Sequence, residues 1–448
     1  MNNVELNKLH YLAQKYNEYN LPLYLSYPVE RKWREFDEKN IIGNSLKNIK
    51  DAQIYLHFPF CKSICYYCCC DKTVSFKDED KDRYIDYVEK ELDFKLSNRS
   101  EKIKADNIHW GGGTPTYMNL KQIARLNRII TDNFEISDEA RIKIEAYPNK
   151  QIVTLEKLNL LREQGFNYIS FGIQDFDKRV QKAINRDCSL EDTKVLVNMA
   201  KKLGFIINID LCYGLPFQGL GEFEKTLKEV INIEPDKIVI YPYAHFPTVY
   251  SMQRNILQLS IPNNFIKGLL FKMANQYLSG GYKKTGIDTF IRYKGKEGEN
   301  IDRGTTIRDF MGSSEETSKH LVGIGSAAVS KVDNVYYKNV SNIECYYKHL
   351  DEDKLPIEVK KVHCLSEDDL IREAIIQKCI LGNFEINKDY INDKFHIDFD
   401  KVFHKEIELL KIMEKDGLLE GKRDNVIQLT DVGSYFARTI AHVFDKYY

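Results

Sequence analysis

Missing from this sequence is any run near the roughly 18 consecutive apolar residues that a membrane helix needs. Its opening residues, Met1-Asn2-Asn3-Val4-Glu5-Leu6-Asn7-Lys8, carry charge where a signal peptide carries an apolar stretch. These two absences set a cytoplasmic protein with no membrane span as the expectation. A surplus of either charge is also lacking: 65 Lys and Arg stand against 66 Asp and Glu, a formal net charge of −1. Such a balance draws the chain neither to nucleic acid nor to an anionic membrane surface. There is no internal repeat and no low-complexity tract. What remains is a globular composition, 43% hydrophobic and 12% aromatic, in a chain of 448 residues. That length suits one large domain and a smaller one.

Short β-branched and aromatic runs recur at Ile54–Phe58, Asn107–Trp110, Ile142–Ala146, Tyr168–Ile173, Ile206–Cys212 and Lys237–Tyr243. They read as continuous apolar runs, the pattern of strands buried on both faces of a parallel sheet. Helical faces lie between them: Ile85, Val88 and Leu92; Ile123, Leu126 and Ile130; Leu155, Leu158 and Leu161; Leu196, Met199 and Leu203. Ser189-Leu190-Glu191-Asp192 has the form of a capping box. Strand–helix alternation predicts about six βα units, hence an α/β fold with a parallel barrel or part of one. Functional groups then gather at the carboxyl ends of the strands.

Residues 1–50 read as an ordered N-terminal arm, 51–345 as the barrel domain with its following loops, and 346–448 as a mostly helical C-terminal domain. Within the second, residues 286–318 are rich in Gly, Thr, Ser and charge and read as long loops. From Ser366 the order of helices, the strand Val426–Leu429 and a last helix is similar to a winged-helix module. Residues 360–448 hold 14 Lys and Arg against 17 Asp and Glu, so a lid or docking role is expected there rather than DNA binding.

Ten cysteines need an explanation, and five of them fall between Cys61 and Cys70. Cys188, Cys212, Cys345, Cys364 and Cys379 are scattered and read as inert small hydrophobes. A disulfide framework spreads its cysteines and needs an oxidising compartment. Cys61, Cys65 and Cys68 follow the first predicted strand with the spacing C-x3-C-x2-C. Soft thiolates this close select zinc or iron–sulfur, and structural zinc takes four ligands, often as two separated pairs. No second Cys/His pair stands at matching spacing. Three cysteines can hold three irons of a 4Fe–4S cubane and leave the fourth open, as chelation by S-adenosylmethionine (SAM) requires. After the second predicted strand comes His109-Trp110-Gly111-Gly112-Gly113-Thr114-Pro115-Thr116. Three consecutive glycines let backbone approach a ligand closely, and without a G-x-G-x-x-G pattern or a P-loop lysine the phosphate reading is weak.

The cysteine spacing resembles the signature of the radical SAM superfamily, and the triple glycine resembles its motif for the methionine part of SAM. That resemblance implies electron transfer from the cluster to the sulfonium, giving methionine and a 5′-deoxyadenosyl radical that takes hydrogen from a substrate. A narrower resemblance rests on Tyr55-Leu56-His57-Phe58-Pro59-Phe60-Cys61, the Trp110–Thr116 run, Gly172-Ile173-Gln174-Asp175-Phe176 and Asn208–Pro216. Tyr243-Ala244-His245-Phe246-Pro247 and the C-terminal Leu429-Thr430, Gly433, Arg438 and Phe444-Asp445 follow in the same order. Together they are similar to the oxygen-independent coproporphyrinogen III oxidase (coproporphyrinogen dehydrogenase) family across nearly the whole chain.

The family implies a partial (β/α)6 radical SAM barrel and an oxidoreductase of anaerobic haem biosynthesis. It turns coproporphyrinogen III propionates into vinyl groups, giving protoporphyrinogen IX. By motif position, Cys61, Cys65 and Cys68 hold the cluster. Tyr55, Gly112, Glu145 and Val329 contact the cluster-bound SAM, with Tyr55 and Glu145 at the chemistry. Tyr67, Gly113, Thr114, Gln174, Arg186, Asp210 and Ala244 form a further set of SAM contacts, so one or two SAM molecules are expected. The implied partners are a tetrapyrrole substrate and a small electron donor such as a flavodoxin or ferredoxin, with the enzyme a monomer. Several positions depart from the pattern. Leu23 replaces an Arg and Leu25 a Thr in the arm, Ala146-Tyr147-Pro148 replaces Val-Asp-Pro, and Thr289 stands for His. Met311 stands for Gln, Ser313-Ser314-Glu315 for Tyr-Thr-Thr, and Cys69 for Gly. These changes leave two alternatives open: a relative that transfers methyl or alkyl groups or breaks down haem, and a haem chaperone, against which the long arm and Cys70 argue.

Overall fold

The computed structural model describes residues 3–16, 18–34, 46–97, 99–294, 305–315, 318–423 and 425–448. After the arm helix α1 (Asn3–Lys15) come six strands: β1 (Asp51–Phe58), β2 (Ile103–Gly112), β3 (Phe134–Ala146), β4 (Tyr168–Gln174), β5 (Ile206–Tyr213) and β6 (Lys237–Pro242). Each pairs in parallel with the next. The connecting helices are α2 (Asp78–Leu96), α3 (Leu120–Asn133), α4 (Leu155–Glu163), α5 (Lys178–Ala183), α6 (Leu190–Lys202) and α7 (Leu220–Ile233). Ser189 caps α6 by accepting the Asp192 N–H, as its sequence suggests. The expected helical faces are buried except at Met199 and Leu203, which are partly buried, and Leu155, which is 51% exposed; Leu158 and Leu161 carry the contact of α4.

The sheet runs past the six strands on both sides. Strands β7 (Tyr282–Thr285) and β8 (Thr289–Arg292) extend it antiparallel from β6. On the other side β9 (Leu321–Ile324) pairs in parallel with β1, followed by antiparallel β10 (Val329–Val332), β11 (Val335–Asn339) and β12 (Ile357–Cys364). The order is β12-β11-β10-β9-β1-β2-β3-β4-β5-β6-β8-β7, so the barrel is open. Part of the segment expected as loops is thus strand, and the hairpin Thr306–Asp309/Gly312–Glu315 adds further pairing. Residues 295–304 and 316–317 of that expectation lie outside the described residues, as do 35–45 of the arm.

Burial bears out strands buried on both faces for β1 but not for β4–β6. Along β4, Ile169, Phe171 and Ile173 are fully buried in the core, while Tyr168, Ser170 and Gly172 alternate with them and stay partly open. β5 and β6 repeat the pattern, with Asn208, Asp210, Lys237 and Tyr241 on the open face. Side chains alternate across a strand, so an apolar layer meets the helices and a polar layer lines the barrel. Register then sets the polar residues in rows. Tyr55 lies beside His109 and His109 beside Lys143. Glu145 lies beside Ser170, Ser170 beside Asn208, and Gly172 beside Asp210.

Beyond β12, the helix Glu367–Glu373 runs into a π-helical segment, Ala374–Ile380. Helices Lys388–Phe395 and His404–Lys415 pack with a three-stranded sheet ordered Glu385–Asn387, Val426–Leu429, Leu419–Arg423. Two of those strands escape the sequence pattern because they are short and partly exposed. Leu9, Leu12, Tyr24 and Tyr27 of the arm share one apolar cluster with this region. The Glu18 carboxylate accepts from Arg438 Nε at 2.8 Å, from Thr439 N–H at 2.8 Å and from Thr439 Oγ1 at 2.7 Å. Both charges are 95% buried, and pairing with full hydrogen bonding is what makes that tolerable. Among the described residues, no helix is long and apolar enough to cross a membrane.

Candidate active site at the barrel mouth

At the carboxyl ends of β1–β6 lies a cavity of about 390 Å³. Cys61, Cys65 and Cys68 line it together with Tyr67, Gly112, Gly113, Thr114, Glu145, Gln174, Arg186, Asp210 and Ala244. The cysteine and glycine loops are interlocked by backbone. Gly113 N–H donates to Phe58 O at 2.7 Å and Thr114 N–H to Phe60 O at 2.9 Å. A Cβ on Gly113 would stand 2.6 Å from Phe60 O; one on Gly112, at φ +108°, would stand 2.8 Å from the His57 ring. The glycines therefore admit the cysteine loop, and Gly112 and Gly113 line the cavity as well.

Side chains around the cysteines are polar and fixed. Arg186 Nη1 donates to Cys65 Sγ at 3.3 Å, and Thr114 Oγ1 lies 3.8 Å from Cys61 Sγ. Lys72 Nζ donates to the carbonyls of Cys68 and Cys70 at 3.2 and 3.1 Å. Burial pushes the Cys61 thiol up to about 12. The Cys70 thiol beside it and Lys72 draw Cys68 down, against the effect of burial. Among the described residues no three His, Cys, Asp or Glu side chains converge as a single metal ion requires. A cubane makes no such demand, because each thiolate binds a different iron.

The acidic residues sit on β3 and β5, with β4 between them. Glu145 Oε1 meets His109 Nε2 at 2.9 Å. Asp210 accepts from Ser170 Oγ at 2.7 Å and from Asn208 Nδ2 at 2.8 Å. Burial, with Glu145 close by, raises the Asp210 carboxyl to about 6. Gln174, at φ +74°, accepts a hydrogen bond from Tyr241 Oη. Arg186 Nε is buried without a partner, and so is Asn208 Oδ1. A buried N–H and a buried carbonyl without partners are costly; Arg186 lines this cavity and Asn208 the chamber next to it, so the cationic donor here fits a polar ligand with an anionic group.

Tyr55 and Val329 are the expected site residues that do not line the cavity. Tyr55 donates to or accepts from His57 Nδ1 at 3.1 Å, and burial lifts its hydroxyl well above the ordinary range. It flanks Gly111 opposite Glu145. Val329 packs with Trp33, Tyr336 and Leu365. The sequence reading missed His109, Ser170, Asn208 and Lys72. For the first three, the available signal was a polar residue at every second position of an otherwise apolar strand.

A second chamber of about 270 Å³ lies deeper and shares Glu145, Ser170 and Asp210 with the first. Arg141, Lys143 and Lys237 line it from the strands, and Phe310 and Met311 from the tip of the hairpin.

Comparison with known proteins agrees with this arrangement. The family model of the radical SAM superfamily matches residues 55–230. The oxygen-independent coproporphyrinogen III oxidase of Escherichia coli (strain K12) is 34% identical over 440 residues, 97% of this chain and 94% of the relative. That of Helicobacter pylori (strain J99) is 32% identical over 445 residues, 97% and 96% of the two chains. A solved coproporphyrinogen III oxidase from Escherichia coli, described as a radical SAM enzyme, superposes with a TM-score of 0.87 at 33% identity, covering 95% of this chain and 98% of that one.

Proposed function

We propose a function from one premise: the chain belongs to the oxygen-independent coproporphyrinogen III oxidase family of radical SAM enzymes. It is an oxidoreductase that converts propionate side chains of coproporphyrinogen III to vinyl groups, and it uses a 4Fe–4S cluster and SAM. The observation that carries the reading is one cavity lined by the three cysteines, the two glycines and the polar ends of β3, β4 and β5. When bound, the cluster and SAM supply one-electron, hydrogen-abstracting chemistry.

The chain's own residues hold and orient. Cys61, Cys65 and Cys68 are the cluster ligands. Gly112 and Gly113 keep backbone close beneath the cysteine loop, and Tyr67, packed against Val180, Ile184 and Cys212, offers an aromatic face. Asp210, fixed by Ser170 and Asn208, and Glu145, fixed by His109, accept hydrogen bonds from SAM. Arg186 and Gln174 serve polar groups across the cavity, so a second SAM is part of the reading. Tyr55 and Val329 act from outside the lining. The electron comes from a small donor protein such as a flavodoxin or ferredoxin, and the enzyme works as a monomer. Ten free cysteines suit a reducing cytoplasm.

Anaerobic incubation with coproporphyrinogen III, SAM and dithionite, followed by mass spectrometry, tests this. The expected products are 5′-deoxyadenosine, methionine and a porphyrinogen lighter by CO2 and two hydrogens, about 46 mass units per propionate. S-adenosylhomocysteine beside intact coproporphyrinogen would replace this reading with methyl transfer.

A further inference from the structure

Arg186 is held on three sides. Nη1 donates to Cys65 Sγ at 3.3 Å, Nη2 donates to the Gly172 carbonyl, and the guanidinium carbon lies 4.7 Å from the centroid of the Tyr147 ring. Tyr147 is anchored in turn: its hydroxyl donates to Asp187 O and accepts the Asp187 N–H at 3.3 Å. Among the described residues no carboxylate pairs with Arg186; the neighbouring Asp187 side chain is 94% exposed and pairs with Lys178 at 3.4 Å. A permanent positive charge therefore rests against one cysteine sulfur without a counter-charge.

We infer that Arg186, held over the Tyr147 ring, is a positioning residue that sets the reduction potential of the cluster through its N–H···S contact with Cys65. The inference rests on the reading of Cys65 as a cluster ligand. Reduction adds one electron, and so one negative charge, to the cluster. A cation at hydrogen-bond distance from a ligand sulfur stabilises that extra charge, in surroundings where screening is weak. Hydrogen bonds to the sulfurs are among the features that set such potentials. Arginine suits the task because it stays charged and stacks on aromatic faces. Tyrosine suits the support because its ring contacts the guanidinium and leaves its charge intact; a carboxylate at position 147 would neutralise part of it.

The test is a redox titration followed by electron paramagnetic resonance on the reconstituted full-length protein without SAM, so that SAM contacts do not enter. At the potential where the wild-type cluster is half reduced, Arg186→Gln is expected to lower the ratio of reduced to oxidised cluster about tenfold, equivalent to about 59 mV for one electron. Tyr147→Asp is expected to shift the same way, and Tyr147→Phe, which keeps the ring, to match wild type. Iron content and the oxidised absorbance spectrum are measured first. Failure of the wild type to assemble a cluster defeats the ligand reading itself. With clusters assembled, an Arg186→Gln potential equal to wild type overturns the inference. Should Arg186→Gln not assemble, the Tyr147 pair decides: Asp equal to Phe overturns it, and Asp below Phe supports it.

Discussion

The cavity at the barrel mouth and the chamber beneath it share Glu145, Ser170 and Asp210, yet they are built from different materials. The upper one joins two contiguous loop segments, Cys61–Cys70 and Gly112–Thr114, to strand-end residues as far along the chain as Glu145, Asp210 and Ala244. The lower one is made by alternate positions on β3–β6 and by a hairpin tip, so its residues are scattered from His109 to Ser313. What the sequence shows directly of the upper cavity is its two contiguous motifs. The space below is shaped by side chains whose meaning appears only once the strands are in register.

The sharpest way to break this contrast is at the cysteines. Cys61→Ala, Cys65→Ala and Cys68→Ala are each expected to lose the brown chromophore and all SAM cleavage, while Cys69→Ala and Cys70→Ala keep the iron. Equal iron loss in all five, measured by iron assay, would remove the ligand assignment.

Next come the shared carboxylates. Glu145→Ala and Asp210→Ala should fold and keep iron but bind SAM roughly ten- to a hundredfold more weakly, the cost of a charge-assisted hydrogen bond at about 1.5–3 kcal/mol. Unchanged affinity in equilibrium binding would mark both as structural.

The lower chamber is probed by filling it. Met311→Trp should leave iron and SAM affinity intact and reduce porphyrinogen turnover on the order of tenfold, about 1.4 kcal/mol. Equal turnover would show that the two spaces work independently.

The smallest effect is a pH dependence. The folded Asp210 carboxyl titrates near 6, above its unfolded value, so folding takes up protons as pH falls through 6. The stability of cluster-free wild type relative to Asp210→Asn should therefore rise from pH 7 to pH 4. The rise is about 1 kcal/mol after allowing for screening from the cavity, and it is flat above pH 7. Urea midpoints at several pH values check the sign, and an opposite slope would refute it.

Much of this was legible in the sequence, for physical reasons. Buried β-branched runs revealed all six strands, and the C-x3-C-x2-C and triple-glycine motifs located the upper cavity. Tyr67, Arg186 and Asp210 entered through the family resemblance, and they line the upper cavity. Polarity inside the barrel was misread, because Ser170, Asn208 and Lys237 sit singly among apolar neighbours and weaken the period-2 signal. The hairpin carrying Phe310 and Met311 was read as loop, because Gly, Thr and Ser mark turns as readily as short strands. β9 escaped because its parallel partner, β1, lies far along the chain, whereas β10 and β11 are short and β10–β12 pair with their neighbours in sequence.

Glu18 and Arg438 stand 420 residues apart in the chain and meet inside the protein. On a ribosome adding roughly 5–20 residues per second, about 20–80 s pass between the synthesis of the two. The arm is thus made first and secured last, since Tyr24 also awaits Asp445, to which its hydroxyl donates at 3.1 Å. Leu23, beside that tyrosine, lines the upper cavity. The order of synthesis is therefore also an order of enclosure: the cysteine loop exists for most of translation before its outer rim is fastened.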